Sequence, residues 1–327
     1  MKNFNDFEMP SILRDFLSYM QTIKGKSAST VQVYFYDLRV FFRFMKLHKK
    51  AIDQKVDFDD IQINDIDLPF IKTISLSDLY AFMALVSNNR NNSSYARARK
   101  VACLKSFFKY LTFKAKLLDF NTAAELDSPK IIKRLPRYLN IDECKHLLNS
   151  IDGAYSKRDY AIITIFLNCG LRLSELVGIN LNNIKSSTLT VIGKGDKERS
   201  IPLNNACVKA IKEYMEVRPA NALKDKNALF ISERKQRISK ESVQKIVKKY
   251  ITKAGLDPER YSTHKLRHTA ATLMYRYGNV DIRSLQELLG HESISTTQIY
   301  THLDSKQLKN AVDSNPLADF DIKGGTK

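Results

Sequence analysis

The stretch STHKLRHTAATLMYRYGNVDIRSLQELLGHESISTTQIYTHL, residues 262–303, concentrates the polar chemistry of this chain. It opens on His264-Lys265-Leu266-Arg267-His268, passes through Leu288-Leu289-Gly290-His291 and closes on Ile299-Tyr300-Thr301-His302. Four of the six histidines fall here, with no run of acidic residues to hold a metal. Cations and neutral donors around one hydroxyl suit an anionic substrate such as a phosphodiester. Ser262 or Thr263 can cap a helix whose apolar side is Leu266, Ala270, Leu273, Met274 and Tyr277, with Gly278 ending it. His264 and Arg267, three apart in its first turns, can point to one place. Backbone N–H groups and the helix dipole favour an anion at that same place. An HxxR pair alone is more often a solvated helix turn. His291, just past Gly290, alone reads as a helix-end residue.

Working outward, 53 Lys and Arg against 35 Asp and Glu give a net charge of +18. That excess points to a polyanion, nucleic acid ahead of a membrane surface. At 327 residues and 43% hydrophobic content, one large domain or two ordinary ones can be built. No secretory signal or transmembrane run is visible, so the expected compartment is cytoplasmic. Cys103, Cys144, Cys169 and Cys207 show no C-x-x-C spacing and no histidine at a ligand spacing. Neither a disulfide framework nor a zinc site is expected, and Cys103 and Cys169 read as buried small hydrophobes.

Upstream, helical periodicity covers Met9–Ile23, Thr30–Leu47, Ser75–Val86 and Ser94–Phe113. Ser27 or Ser29, and Ser75 or Ser77, can supply caps. The second of these helices carries Tyr34, Tyr36, Arg39 and Arg43 on its polar side. The fourth carries Arg97, Arg99, Lys100, Lys105 and Lys109. Both faces suit a phosphate backbone, the fourth helix's better, although a solvated face is the common reading of any one such residue. Between them, Ala51–Ile74 is acidic and irregular, with room for a short strand or helical turn. Residues 1–115 therefore read as a small all-α domain. Residues 116–137, with Pro129, Pro136, Lys130, Lys133, Arg134 and Arg137, read as a basic linker able to strap a polyanion.

A second domain, 138–327, begins with a capping box at Asn140 and Glu143. The apolar helix Ser156–Cys169 stops at Gly170, with Arg172 just beyond and Ser174-Glu175 opening another short helix. The period then changes to two. Thr188–Ile192 and Glu198–Leu203 form a hairpin whose turn, 193–197, places Lys194 between two glycines. Helices follow at Asn205–Val217, Lys240–Ala254 and Asp281–Leu289. Singly, Arg172, Lys194 and Tyr300 are ordinary residues.

Together, Cys169-Gly170-Leu171-Arg172-Leu173-Ser174-Glu175, Lys194 in its hairpin, His264-Lys265-Leu266-Arg267-His268, Leu289-Gly290-His291 and Thr296–His302 around Tyr300 resemble the catalytic set of the tyrosine recombinases. The resemblance covers nearly the whole chain and is nearest to the Xer group. It implies a mainly α fold with a small β-hairpin. A SAM-like helical core-binding domain and an α/β catalytic domain would form a C-shaped clamp. It implies Tyr300 as the nucleophile, Arg172 and Arg267 on the non-bridging oxygens, and Lys194 as acid for the leaving 5′-oxygen. His264 would be proton acceptor or phosphate donor, and His291 a further donor. Glu175 would hold an arginine or histidine, while His268 and His302 pack or cap nearby.

Arg39, Arg43, Arg97, Lys100, Lys105 and Arg134 are the expected DNA contacts. No cofactor and no metal are expected. The resemblance implies a specific recombination site on double-stranded DNA and a homo- or hetero-tetramer joined by a docking tail after Ser305; whether an accessory activator protein joins it is left open by the sequence. Resolution of chromosome or plasmid dimers in the nucleoid is the expected role. A mobile-element integrase and a type IB topoisomerase are the alternatives.

Overall fold

The computed structural model describes residues 9–53, 55–88, 90, 92–130, 137–193, 197–221, 224–278, 280–291 and 293–298. The chain divides into two compact units, Met1–Lys133 and Arg134–Lys327.

In the first unit the helices are α1 (Ser11–Thr22), α2 (Ala28–His48), α3 (Leu68–Lys72), α4 (Leu76–Asn88) and α5 (Ser94–Phe113). Ser27 caps α2 by accepting from the Thr30 amide. Ser75 precedes α4 and shares reciprocal hydrogen bonds with Asp78. The core is aromatic. Phe16, Phe42, Phe107 and Phe108 meet edge-to-face, as do Phe41 and Phe82, with centroids 5.2–5.7 Å apart. Such pairs add roughly 0.5–1.5 kcal/mol each beyond the area they bury.

Two of the cations expected to meet DNA are instead buried in ion pairs. Lys100 of α5 binds Asp37 of α2, and Arg99 adds a two-pronged contact to the same carboxylate at 2.8 and 2.9 Å. Arg43 donates to the Ile61 carbonyl at 2.9 Å and to Asp59 at 3.1 Å. Next to it, the Lys46 ammonium takes the Gln62 carbonyl and Asp65. The acidic stretch after α2 is thus bound down along that helix. Ile61, Ile63, Ile66, Ile71 and Ile74 are buried with it. The physical reason is mutual: apolar residues draw the segment onto α2, and its carboxylates and carbonyls neutralise the cations covered by that packing. The stretch from 116 onward is not wholly linker either. Ala123 and Leu126 are buried in the same core, and Leu117 and Leu118 pack against it.

In the second unit, α6 (Ile141–Asn149) begins with the expected capping box, Asn140 and Glu143 each bonding the other's amide at 2.8 Å. Next comes α7 (Ser156–Cys169), buried along most of its length, and then the short α8 (Leu173–Gly178). The sheet has three antiparallel strands in the order β1 (Ile184–Lys185), β2 (Thr188–Ile192), β3 (Glu198–Pro202). The sequence predicts β2 and β3. The added β1 pairs Ile184 with Leu189 and Lys185 with Thr188, across a two-residue turn that needs Ser186 at φ +53°. Serine gives little hint of that left-handed conformation, so the turn is hard to foresee. Among the described residues four further helices follow: α9 (Asn205–Val217), α10 (Lys240–Lys253), α11 (Thr263–Tyr277) and α12 (Ile282–Leu289). Between α9 and α10 the chain lacks periodicity, and arginines stand in for a regular ladder. Arg218 donates to the carbonyls of Ala228 and Leu229, and Arg237 to those of Val177 and Ile179. No helix among the described residues is long and apolar enough to cross a membrane.

Removing Asp37 leaves a buried ammonium without its carboxylate. Asp37→Ala should therefore cost the first unit about 3–5 kcal/mol. Hydrogen exchange of α2 and α5 amides is the measurement. A loss no larger than that of an exposed pair, about 1 kcal/mol or less, would show that the triad does not hold the two helices together.

Candidate active site

The site is built where α7 ends, α12 ends and α11 begins. Gly170 terminates α7 at φ +60°, and a Cβ there would lie 2.8 Å from the Leu289 side chain. Only glycine meets both demands. The chain then extends through Leu171 to Arg172, which forms the N-cap of α8. The Arg172 amide donates to Glu175 Oε2 at 2.7 Å. Its guanidinium donates through Nη1 to Glu175 Oε1 at 2.7 Å and through Nη2 to the Gly290 carbonyl at 2.6 Å.

Glu175 is the hub. Its side chain is 1% exposed, yet two further guanidiniums approach it. Arg199 of β3 forks onto both oxygens at 2.8 and 2.9 Å, and Arg267 Nη1 lies 3.8 Å from Oε2. Burial pushes the Glu175 carboxyl up, but the bonds from Arg199 and from the Arg172 amide outweigh it and hold the group below the usual range. Arg267, itself buried, donates to the Gly170 carbonyl at 2.7 Å and to the Leu289 carbonyl at 2.6 Å. Three arginines against one carboxylate leave two positive charges in excess. That balance suits a phosphate whose charge grows during attack.

The histidines complete the rim. His264 sits in the first turn of α11, and its Nε2 lies 3.0 Å from Nε2 of His268 in the next turn. His291 follows Gly290, and its Nδ1 lies 2.9 Å from the buried Thr297 hydroxyl. Burial lowers all three imidazoles, and neighbouring charge adds to it. Arg267 and Arg172 bring His291 to about 4, and His264 and Lys265 help bring His268 to about 3. All three are therefore neutral at pH 7, each with one ring nitrogen able to donate and one able to accept. Ser262, the N-cap residue of α11, gives its first turn no side-chain hydrogen bond. A groove of about 470 Å³ runs over these groups, lined by Arg172, Arg267, His264, His291, Lys240 and Thr263 among others.

Arg172, His264, Arg267 and His291 thus share one groove, with Glu175 beneath them. Lys194, Tyr300, His302 and Arg134 lie outside the described residues. His268 is closer than a packing neighbour, within hydrogen-bond distance of His264. Of the expected DNA contacts in the first unit, Arg39 stacks over Tyr36 at 4.9 Å. Arg97 donates to Ser87 at 2.6 Å, and Lys105 is half-buried. Arg43 and Lys100 are not available, being buried in their ion pairs. Arg199 was not singled out by the sequence reading. Its signal is the two-residue period of β3, which puts Arg199 on the inward face with Ile201.

The model of the phage integrase family matches residues 137–307, just over half of the chain. The chain belongs to the phage integrase family. This family member is 57% identical over 309 residues to "Tyrosine recombinase XerC" of Caldanaerobacter subterraneus subsp. tengcongensis, covering 94% of this chain and 88% of that protein. It is 35% identical over 304 residues to "Tyrosine recombinase XerD" of Proteus mirabilis, covering 91% and 90%. Among solved structures it shares the fold of the XerH site-specific recombinase in its post-cleavage complex with a palindromic difH substrate. There the TM-score is 0.67, at 24% identity over 93% of this chain and 94% of that one. By its identity to these relatives, the chain is a tyrosine recombinase, an enzyme that transfers DNA strands at specific sites.

The depressed imidazoles make a stability prediction. An unfolded histidine binds its proton at about pH 6.5. Below that pH the unfolded chain takes up protons that the folded site refuses until about pH 4 for His291 and about pH 3 for His268. Stability is then full above the unfolded value and falls as the pH drops. Thermal unfolding between pH 7.5 and 5, above the carboxylate range, should show a declining midpoint. His268→Asn should flatten the decline, and an unchanged slope in that variant would contradict the assignment.

Proposed function

We propose that the groove receives the scissile phosphate of a recombination site and that Tyr300 attacks it. The observation that carries this reading is the convergence of the Arg172 and Arg267 guanidiniums, held by backbone carbonyls and Glu175, with His264 and His291 on one groove. The two guanidiniums grip the non-bridging oxygens and stabilise the pentacoordinate charge, since their planar forks match phosphate and stay protonated. The Tyr300 hydroxyl loses its proton to His264 as its oxygen bonds to phosphorus. The bond to the 5′-oxygen breaks, and Lys194 supplies the proton that oxygen needs. His291 donates from Nε2 to a non-bridging oxygen, with its Nδ1 accepting from the Thr297 hydroxyl.

The product is a 3′-phosphotyrosine that keeps the energy of the original linkage, and a 5′-hydroxyl from a second duplex resolves it. Strands exchanged in pairs pass through a Holliday junction. In this proposal four subunits, of this chain alone or with a second recombinase, synapse two duplexes in the nucleoid. The segment after Ser305 docks on a neighbour, and an accessory protein activates the assembly. Similarity to proteins named XerC and XerD over nearly their whole length favours resolution of chromosome or plasmid dimers. Residues 1–115 and the basic stretch to 137 grip the duplex, with Arg39, Arg97, Lys105 and Arg134 as contacts.

A nicked suicide duplex carrying the sequence that the chain protects from nuclease should trap a covalent complex. Tyr300→Phe should abolish the complex while leaving protection intact. No adduct from the unaltered chain would refute the reading, and relaxed plasmid without recombinant product would point to topoisomerase activity instead. Lys194→Ala should slow cleavage by about 10²–10⁴-fold. Replacing the leaving 5′-oxygen by sulfur, which needs no proton, should restore the rate. Equal defects on both substrates would remove Lys194 from the role of acid.

A further inference from the structure

Arg199 reaches the site from β3 without lining the groove. Its side chain is 12% exposed, and all three guanidinium nitrogens are spent on protein. Nη1 and Nη2 bind the two oxygens of Glu175, and Nε donates to the Leu288 carbonyl at 2.9 Å. Leu288 is the first of three consecutive carbonyls at the end of α12, each held by a different arginine. Leu288 O accepts from Arg199, Leu289 O from Arg267 and Gly290 O from Arg172. These are carbonyls that a helix end leaves without intrahelical partners, at the negative end of its dipole. The two groove-lining arginines are therefore spaced by the same backbone segment that Arg199 ties to Glu175.

The fit is close. Gly290 adopts φ +65°, and a Cβ there would sit 3.0–3.3 Å from the Arg199 side chain. The base of the hairpin meets the same pair: a Cβ at Gly193 would be 3.7 Å from Arg199 and 3.8 Å from Glu175. Charge gives Arg199 a second task. Alone with Arg172, the Glu175 carboxylate would cancel the guanidinium that faces the groove. With Arg199 forked across both oxygens, that negative charge is already matched, and the charge of Arg172 stays available to an anion.

We propose that Arg199 is a positioning residue for strand cleavage: by joining Glu175 to the last turn of α12 it sets the spacing of Arg172 and Arg267, and by matching the Glu175 charge it leaves that of Arg172 uncancelled toward the phosphate, without touching DNA. The proposal rests on the reading of the groove as the cleavage site.

The test uses the full chain and the nicked suicide duplex under single-turnover conditions, with DNA affinity measured separately by nuclease protection. Arg199→Gln should leave affinity unchanged and slow adduct formation by about 100-fold, the scale of a misplaced reacting group. Arg199→Lys keeps the charge but loses the fork, so its rate should fall between the two. The decisive variant is Arg199→Gln combined with Glu175→Gln. With the carboxylate neutralised, it should cleave faster than Arg199→Gln alone when both are compared at a temperature where each is fully folded, so that relief of an unpaired buried carboxylate does not enter the comparison. Thermal unfolding sorts out misfolding, and Arg199→Lys with the double variant carries the test if Arg199→Gln does not fold. Unchanged cleavage in Arg199→Gln, an equal loss of affinity, or a double variant no faster than the single would overturn the proposal. Absence of any adduct with the unaltered chain would refute the cleavage-site reading instead, so the two failures are distinct.

Discussion

The site depends on a carboxylate out of reach of water. Glu175 is enclosed by Arg199, by both the amide and the guanidinium of Arg172, and at longer range by Arg267. A carboxylate buried alone would take up a proton, and three guanidiniums packed together alone would repel one another. Each makes the other tolerable. Because one negative charge serves three positive ones, the cluster is held together while remaining net cationic toward the groove. A rigid positive site prepared before substrate arrives spends little on reorganisation when charge develops.

Backbone carbonyls do the remaining positioning. The end of α7 supplies Gly170 O, and the end of α12 supplies Leu289 O and Gly290 O, to the two arginines of the groove. Both helices stop at a glycine in the left-handed conformation. The turn that ends each helix thus also aims unsatisfied carbonyls at the site. Burial first, and then the excess positive charge, lowers the histidines, which stay neutral at physiological pH and can both give and take protons.

The first unit shows the opposite use of charge. Arg43, Lys46 and Lys100 look like part of a cationic surface, yet each is buried against a carboxylate. The acidic stretch after α2 belongs to that arrangement: its isoleucines enter the core, and Asp59 and Asp65 match the cations they cover. Of the other cations named on these two helices, Arg39, Arg97 and Lys105 are half-buried, and Arg99 and Lys109 are exposed. The overall excess of +18 signals a polyanionic partner, but it does not say which cations meet it.

Local chemistry made much of this chain legible from its residues alone. The caps at Ser27 and Asn140, the stops at Gly170 and Gly290, the hairpin period and the HKLRH box are short-range patterns, and each left its mark in neighbouring residues. They carry the family resemblance, and it is that resemblance which joined Arg172, Glu175, His264, Arg267 and His291 in one candidate site. Tertiary structure decided the rest, because the deciding partners are far apart in sequence. Arg199 finds Glu175 across 24 residues, Lys100 finds Asp37 across 63 and Arg172 finds Gly290 across 118. A cation's sequence neighbours reveal its charge. Whether that charge faces solvent, a carboxylate or a phosphate depends on which element packs over it, and only the folded chain specifies that.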